Sequence, residues 1–307
     1  MEKVIVVIGP TSVGKTKMGV ALAKKFNGEV ISGDSMQIYK QMDIGTAKVT
    51  EEEKEGIIHH CVDILNPDET YSVHDFQQTV RKKITEITQR GHVPIIVGGT
   101  GLYIKAALYD YQFDEMENDH HAINEKYKDY TNEQLHDHLK SIDEESAKTL
   151  HFNNRRRILR AIEIYETTGK RKSEMLEEQE HICLYDAYFV GLTLPRDVLY
   201  ERINKRVDVM MKNGLKEEMD QLYSQGLTRN HQSMKAIGYK EWFDYYDRQI
   251  DLNEVLELIK KHSRQYAKRQ YTWFKNQFDV HWYDVNLENF KQTIEQVTDD
   301  IEKILKV

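Results

Sequence analysis

Cysteine, proline and long apolar runs are scarce in this chain, and each scarcity closes off a class of protein. The two cysteines, Cys61 and Cys183, stand alone with no CxxC or Cys/His ligand spacing, which argues against a disulfide framework or a structural zinc site. Both read as buried thiols. Four prolines in 307 residues leave nothing from which to build a stiff linker. The longest apolar run near the start, Val4 to Ile8, falls far short of the roughly 20 residues that cross a bilayer. No membrane partner is expected. The opening MEKVIVV lacks a basic n-region and a small-residue cleavage site, so a cytoplasmic location is expected. An overall basic excess is missing as well, since the net charge is −8. Any contact with nucleic acid must therefore come from local clusters of Lys and Arg.

What is present is the composition of an ordinary globular protein, 39% hydrophobic and 31% charged, in a chain long enough to bury a sizeable core. From residue 3 to about 108, short apolar runs alternate with longer amphipathic ones, the order of a parallel sheet covered by helices. The strand candidates are 4–8, 29–32, 61–65 and 94–97, with helices at 15–26, at 72–90 and after Gly101. Gly91 stops the second helix and Pro94 leads into the next strand. Polar and charged residues take over between 112 and 179, where 131–139 and 154–168 read as helices. The sheet pattern returns at 187–194, followed by helices to the end. The predicted architecture is an α/β core, a parallel sheet flanked by helices, made of residues 1–111 and 180–307 and interrupted by a mainly helical insertion at 112–179.

The strongest motif is Gly9, Pro10, Thr11, Ser12, Val13, Gly14, Lys15, Thr16, a match to G-x-x-x-x-G-K-[ST]. It follows an apolar strand and opens a helix, the context that gives the match its meaning. Its glycines let backbone N–H groups wrap a diphosphate and the helix N-terminus adds positive potential. Lys15 spreads charge onto the terminal phosphate, and Thr16 can ligate Mg²⁺. The plain alternative is a glycine turn without a ligand. The loop type is shared with ATP-binding proteins and makes the predicted parallel-sheet core P-loop NTPase-like, yet an NTPase should end a second apolar strand in an acid that holds metal or water. Strand 94–97 ends instead in Gly98, Gly99, Thr100 and Gly101. A carboxylate does follow strand 29–32: Asp34 stands at the carboxyl edge of the sheet, where open α/β proteins bind ligands. It could accept a proton from a nucleophile, or merely cap a turn or ligate Mg²⁺ at a distance.

GPTSVGKT, DSMQIYKQMDIGTAK at 34–48, VGGTGLY at 97–103, RRRILRAIEIYETTGK at 155–170 and KRQYTWFK at 268–275 together resemble the tRNA dimethylallyltransferase family, bacterial type, also called tRNA isopentenyltransferase. The resemblance runs in order along nearly the whole chain. It implies an enzyme that moves a dimethylallyl group from its diphosphate to the N6 amine of adenosine 37, beside the anticodon of tRNA. The phosphate loop would hold dimethylallyl diphosphate rather than spend a nucleotide, which agrees with the missing acid after 94–97. Asp34 would hydrogen-bond the adenine amine and take its proton, with Ser35, Met36 and Gln37 against the tRNA and Thr100 near the reacting adenosine. Arg206 would help Lys15 and the loop bind diphosphate, with Mg²⁺ on Thr16.

The resemblance also places tRNA against Arg156, Arg157, Ile158, Leu159 and Arg160, and against Lys235, Ala236, Ile237, Gly238, Tyr239 and Lys240. The residues alone point to a third stretch. Lys268, Arg269, Gln270, Tyr271, Thr272, Trp273, Phe274 and Lys275 close a run from 260 that mixes cations with aromatics and holds no acid. Cations for phosphates beside flat rings for unstacked bases suit single-stranded RNA, although Trp273 and Phe274 can equally be core. Arg264, Lys268, Tyr271 and Lys275 share one helical face. An adenine in a paired stem is out of reach, so the acceptor must be an unstacked loop base. One departure stands out: residues 118–123 contain no arginine where many relatives carry one, so that contact is missing or comes from His120 or His121. Adjacent histidines on a polar segment read as solvated rather than metal-binding. A monomer is expected. Three other readings stay open, namely a nucleotide kinase, a prenyltransferase acting on free AMP or ADP, and a non-catalytic RNA-binding module.

Overall fold

The computed structural model describes residues 1–111, 120–177 and 181–305. Its centre is a six-stranded sheet in which each neighbouring pair is parallel, in the order β3-β2-β4-β1-β5-β6. The strands are β1 (Lys3–Ile8), β2 (Gly28–Ser32), β3 (His59–His60), β4 (Val93–Val97), β5 (Asp186–Thr193) and β6 (His281–Asp284). Period-2 geometry divides β1 between the two faces: Val4, Val6 and Ile8 join one core cluster, Ile5 and Val7 the other. A strand covered on both sides must be apolar throughout, which is why it reads as an unbroken run. Helix Val73–Gln89 covers the first face with Phe76, Val80, Ile84 and Ile87. Its start is fixed by a capping box in which Ser72 accepts the Asp75 N–H and the Asp75 side chain accepts the Ser72 N–H. Helices Lys15–Lys25 and Phe290–Leu305 cover the second face through Met18, Leu22, Val297 and Ile301.

The chain leaves β1 for the β2, β3, β4 side and then crosses to β5 and β6. The order of strands reverses at β1, the position at which such sheets leave a crevice beyond their carboxyl ends. The loops after β1, β2 and β4 therefore share one edge.

Two expectations from the sequence need correction. Residues 61–65 do not form the third strand, because Cys61 and Asp63 adopt positive φ of 60° and 55°, a left-handed backbone that ends a strand. The pairing passes instead to His59 and His60, opposite Val30 and Ile31, while Ile64 and Leu65 donate back to the Ile38 carbonyl at 2.8 and 3.0 Å. The C-terminal part is also not wholly helical. His281–Asp284 adds an edge strand beside β5, too short for its alternation to stand out. Cys61 is buried, whereas Cys183 is only half-buried.

Contacts divide the chain into two compact units, Met1–Tyr109 with Cys183–Val307, and Asp110–Ile182. In the second unit, helices Asn132–Ile142, Glu144–Thr149 and Arg155–Thr168 close around Leu135, Leu139, Ile158 and Ile162, with Ile123 and Tyr127. Among the described residues no helix is long and apolar enough to cross a membrane.

Candidate active site

Gly14 opens helix Lys15–Lys25 in the left-handed region, φ 109°, and no side chain caps the helix. Its first N–H groups are thus left for an anion, with the helix dipole adding positive potential. The loop is braced from behind. Gln270, buried on helix Leu252–Gln277, accepts the Thr11 N–H at 2.9 Å and donates to the Gly99 carbonyl at 3.0 Å. Arg202 Nε donates to the Ser12 carbonyl at 3.0 Å. These bonds tie the loop after β1 to the one after β4 and to two C-terminal helices.

Lys15 Nζ donates to the Pro10 carbonyl at 2.8 Å. Burial first, then the Arg206 charge, push its ammonium down to about 7, with Asp34 pulling the other way. Asp34 stands at the end of β2. Its Oδ1 accepts the Met36 N–H at 2.9 Å, while its own N–H reaches Ser32 Oγ at 3.4 Å. Desolvation raises its pKa, and the Met36 and Gln37 amides, Lys15 and Arg206 offset this only in part. Thr100 Oγ1 accepts the Ser35 N–H at 3.2 Å, joining the β2 and β4 loops.

Two clefts meet at Asp34. The first, about 540 Å³, is lined by Thr11, Ser12, Gly14, Lys15, Thr16, Asp34 and Arg206. The second, about 420 Å³, is lined by Asp34, Ser35, Met36, Thr100, Lys235, Ala236, Ile237, Gly238, Lys240 and Arg269. Thr11, Ser12, Asp34, Arg206 and Tyr266 border both, as do Thr46, Ala47 and Met210. The phosphate loop, its two cations and the acid are thereby brought together with most of the 235–240 motif. Pro10 contributes its carbonyl, whereas Gly9 and Val13 shape the loop, Val13 from within the core.

Among the described residues no group of three or more His, Cys, Asp or Glu could hold a metal ion. The Ser12 hydroxyl is buried without a hydrogen-bond partner, and Thr16 lines the same cleft. Such a donor set fits Mg²⁺ that draws most of its ligands from diphosphate oxygens and water, the usual mode for that ion.

Several residues expected to touch tRNA lie elsewhere. Ile158 and Leu159 are core of the second unit, and Tyr239, Gln270 and Phe274 are buried in the first. Helical and turn geometry send these side chains inward, so they back the surface rather than form it. Trp273 is half-buried and packs on the main cluster. Lys268, Arg269, Tyr271, Thr272 and Lys275 are exposed, as are Lys235 and Lys240. Arg264 is instead half-buried and donates to Asn204 Oδ1. In the second unit Arg156 and Arg157 are exposed, while Arg160 pairs with Glu163 at 2.8 Å. The side chains at 118–121 lie outside the described residues.

Sequence reasoning missed Arg202 and Tyr266. Arg202 precedes Arg206 by one helical turn, and that spacing was the available signal. Tyr266 donates to the Gly99 carbonyl at 3.2 Å beside Asp34 and carried no signal beyond its basic surroundings.

Comparison with known proteins agrees with this arrangement. The sequence model of the family described as IPP transferase matches residues 37–277. The tRNA dimethylallyltransferases of Bacillus cereus (strain AH187) and Bacillus anthracis are each 54% identical over 287 residues, covering 92% of this chain and 90% or 91% of theirs. A tRNA isopentenylpyrophosphate transferase crystal structure from Staphylococcus epidermidis superposes with a TM-score of 0.74 at 47% identity, covering 99% of both chains. A eukaryotic dimethylallyltransferase acting on tRNA gives 0.86 at 32% identity, covering 99% of this chain and 79% of that one. With a phosphate loop facing an acid across one cleft and relatives matched along nearly its full length, the chain belongs to the IPP transferase family, the tRNA dimethylallyltransferases.

Proposed function

We propose that this enzyme transfers the dimethylallyl group of dimethylallyl diphosphate to the N6 amine of adenosine 37 in the anticodon stem-loop of tRNA, releasing diphosphate. The observation that carries the reading is the position of Asp34 on the wall common to both clefts. Diphosphate belongs in the first, against the free helix N-terminus, Lys15 and Arg206. The second, bordered by Lys235, Lys240 and Arg269, suits an RNA backbone. Free AMP or ADP would leave those cations without work, and a nucleotide kinase would not need them.

In the transfer a bond forms between N6 and the allylic carbon while that carbon's bond to oxygen breaks, and the electron pair leaves on diphosphate. Lys15, Arg206 and the loop N–H groups meet the charge that develops there, and preorganised donors of this kind act where charge appears. The N6 proton passes to Asp34, whose raised pKa suits a group that must hold it. Thr16 and the Ser12 hydroxyl would hold Mg²⁺, which neutralises charge on the leaving diphosphate. Tyr266, kept protonated by burial and by Asp34, closes the site beside the acceptor. The exposed cations and Tyr271 of helix Leu252–Gln277, with Arg156 and Arg157, are the surfaces proposed to receive tRNA.

The test is incubation of the protein with radiolabelled dimethylallyl diphosphate, Mg²⁺ and an unmodified tRNA transcript. Label is expected on an adenosine of the tRNA. Label on free AMP, or ATP turnover without RNA dependence, would reject the assignment.

A further inference from the structure

Residues 43–47 run between the two clefts: Asp43 and Ile44 line the first, Gly45 the second, and Thr46 and Ala47 both. The 235–240 loop lines the second alone, and a carboxylate that lines neither cleft binds the two loops together. Glu218 lies on helix Leu215–Ser224. Its Oε2 accepts the backbone N–H groups of Asp43 at 2.8 Å and Ile44 at 2.7 Å. Its Oε1 accepts the Gly45 N–H at 3.0 Å and the Tyr239 hydroxyl at 2.6 Å. Four donors match the four lone-pair directions of a carboxylate, and three consecutive amides turned toward one anion form a backbone nest. Tyr239 is fully buried. Burial and the Glu218 charge raise its phenol well above the ordinary range, so it remains a donor.

The two loops also touch directly. A methyl group on Gly45 would fall 2.5 Å from the Tyr239 ring, so only glycine permits this approach. The 235–240 loop is anchored a second time by Glu241, which accepts the Gly238 N–H at 2.9 Å and meets His262 Nδ1 at 2.7 Å. Trp242 Nε1 donates to the Gly238 carbonyl at 2.8 Å. What Glu218 adds is the link across the gap. Gly45, Thr46 and Ala47 line one side of the second cleft and Ala236, Ile237 and Gly238 another.

We propose that Glu218 is a positioning residue for the transfer: by holding the 43–47 nest and Tyr239 on one carboxylate, it fixes the opening through which the acceptor base reaches Asp34. The assignment rests on the reading of the two clefts given above. It also explains why the residue is an acid. A glutamine would turn an NH₂ group toward two donors that now share one oxygen, and an aspartate is a methylene too short to reach.

The experiment varies tRNA and dimethylallyl diphosphate independently in steady-state kinetics of Glu218→Gln and Tyr239→Phe, beside equilibrium binding of inorganic diphosphate to the tRNA-free proteins. Losing hydrogen bonds to a charged group sets the scale, so kcat/KM for tRNA should fall roughly ten- to hundredfold in Glu218→Gln. Diphosphate affinity should change far less, by at most about threefold, because Asp43, Ile44, Thr46 and Ala47 border that cleft but the phosphate loop itself is braced by Gln270 and Arg202. Tyr239→Phe keeps the three amide contacts and should lose less, about threefold, in the same direction. The proposal is overturned if Glu218→Gln handles tRNA like the wild type, or if diphosphate affinity falls in step with tRNA kinetics. Should that variant not fold, unchanged tRNA kinetics in Tyr239→Phe would overturn it. Wild-type protein that labels no tRNA refutes the underlying reaction, whereas an active wild type with an unaffected Glu218→Gln refutes the positioning role alone.

Discussion

Glu29 near the start of β2 and Asp34 just past its end are acids of one strand, and their surroundings could hardly differ more. The Glu29 side chain is 2% exposed. It accepts from Arg90 Nη2 at 2.7 Å and Nε at 3.1 Å, and meets His60 Nε2 at 2.6 Å and His92 Nδ1 at 2.7 Å. Burial pushes its carboxyl up, but those hydrogen bonds outweigh it and hold the pKa at about 2. Asp34, half-buried on the wall of two clefts, is desolvated too, yet backbone amides and the two cations proposed above to bind diphosphate do not restore its ordinary value, and its pKa stays raised. At the amino edge the carboxylate is fully partnered and braces the sheet. At the carboxyl edge the acid is left short of partners, as expected where a ligand supplies the rest.

Mutation can break this contrast most sharply at the functional end. Asp34→Ala should lower single-turnover rates by about 10²- to 10⁴-fold, the usual cost of losing a general base, while tRNA binding stays largely intact in a filter-binding assay. An unchanged rate would reject the assignment. Glu29→Gln should do the reverse, leaving kcat near wild type and lowering unfolding free energy in urea by about 1 to 3 kcal/mol. The sign with pH follows from a depressed carboxyl. Its contribution is complete above the unfolded value near 4.5 and is lost as pH falls toward about 2. Glu29→Gln should lack that part of the acid transition. The smallest effect concerns Lys15, which is half neutral near pH 7 in the free protein. A bound diphosphate restores its charge, so at pH 8 the wild type should take up more protons on binding than Lys15→Met, whose proton linkage reflects the ionisation of diphosphate itself. Calorimetry in buffers of different ionisation enthalpy reads the difference between the two proteins.

The same contrast separates what could be read in the sequence from what could not. Residues 9–16 were legible because the glycines, the lysine and the flanking strand and helix are all local, and Asp34 followed from its place after β2. The insertion showed in composition, though the compact unit runs from Asp110 to Ile182, slightly beyond the expected 112–179. The false strand at 61–65 came from an apolar pattern that two left-handed residues override. Gln270 was taken for an RNA contact because its neighbours are basic and aromatic. Its actual partners, Thr11 and Gly99, are remote in sequence. Glu218 carried no signal for the same reason, since nothing near it in the chain announces three amides at 43–45.

The neck of the insertion is closed on itself: Tyr109 and Cys183 form an antiparallel bridge, and the Leu184 N–H donates to the Leu108 carbonyl at 2.8 Å. Chain entry and exit are therefore already side by side in the sheet-bearing unit, so little further loop entropy is lost in joining them. Such a hairpin stem makes the Asp110–Ile182 unit a module in the modular sense of protein engineering. A short turn could replace it, or a foreign RNA-binding segment be grafted there, with the crevice chemistry left standing on its own scaffold.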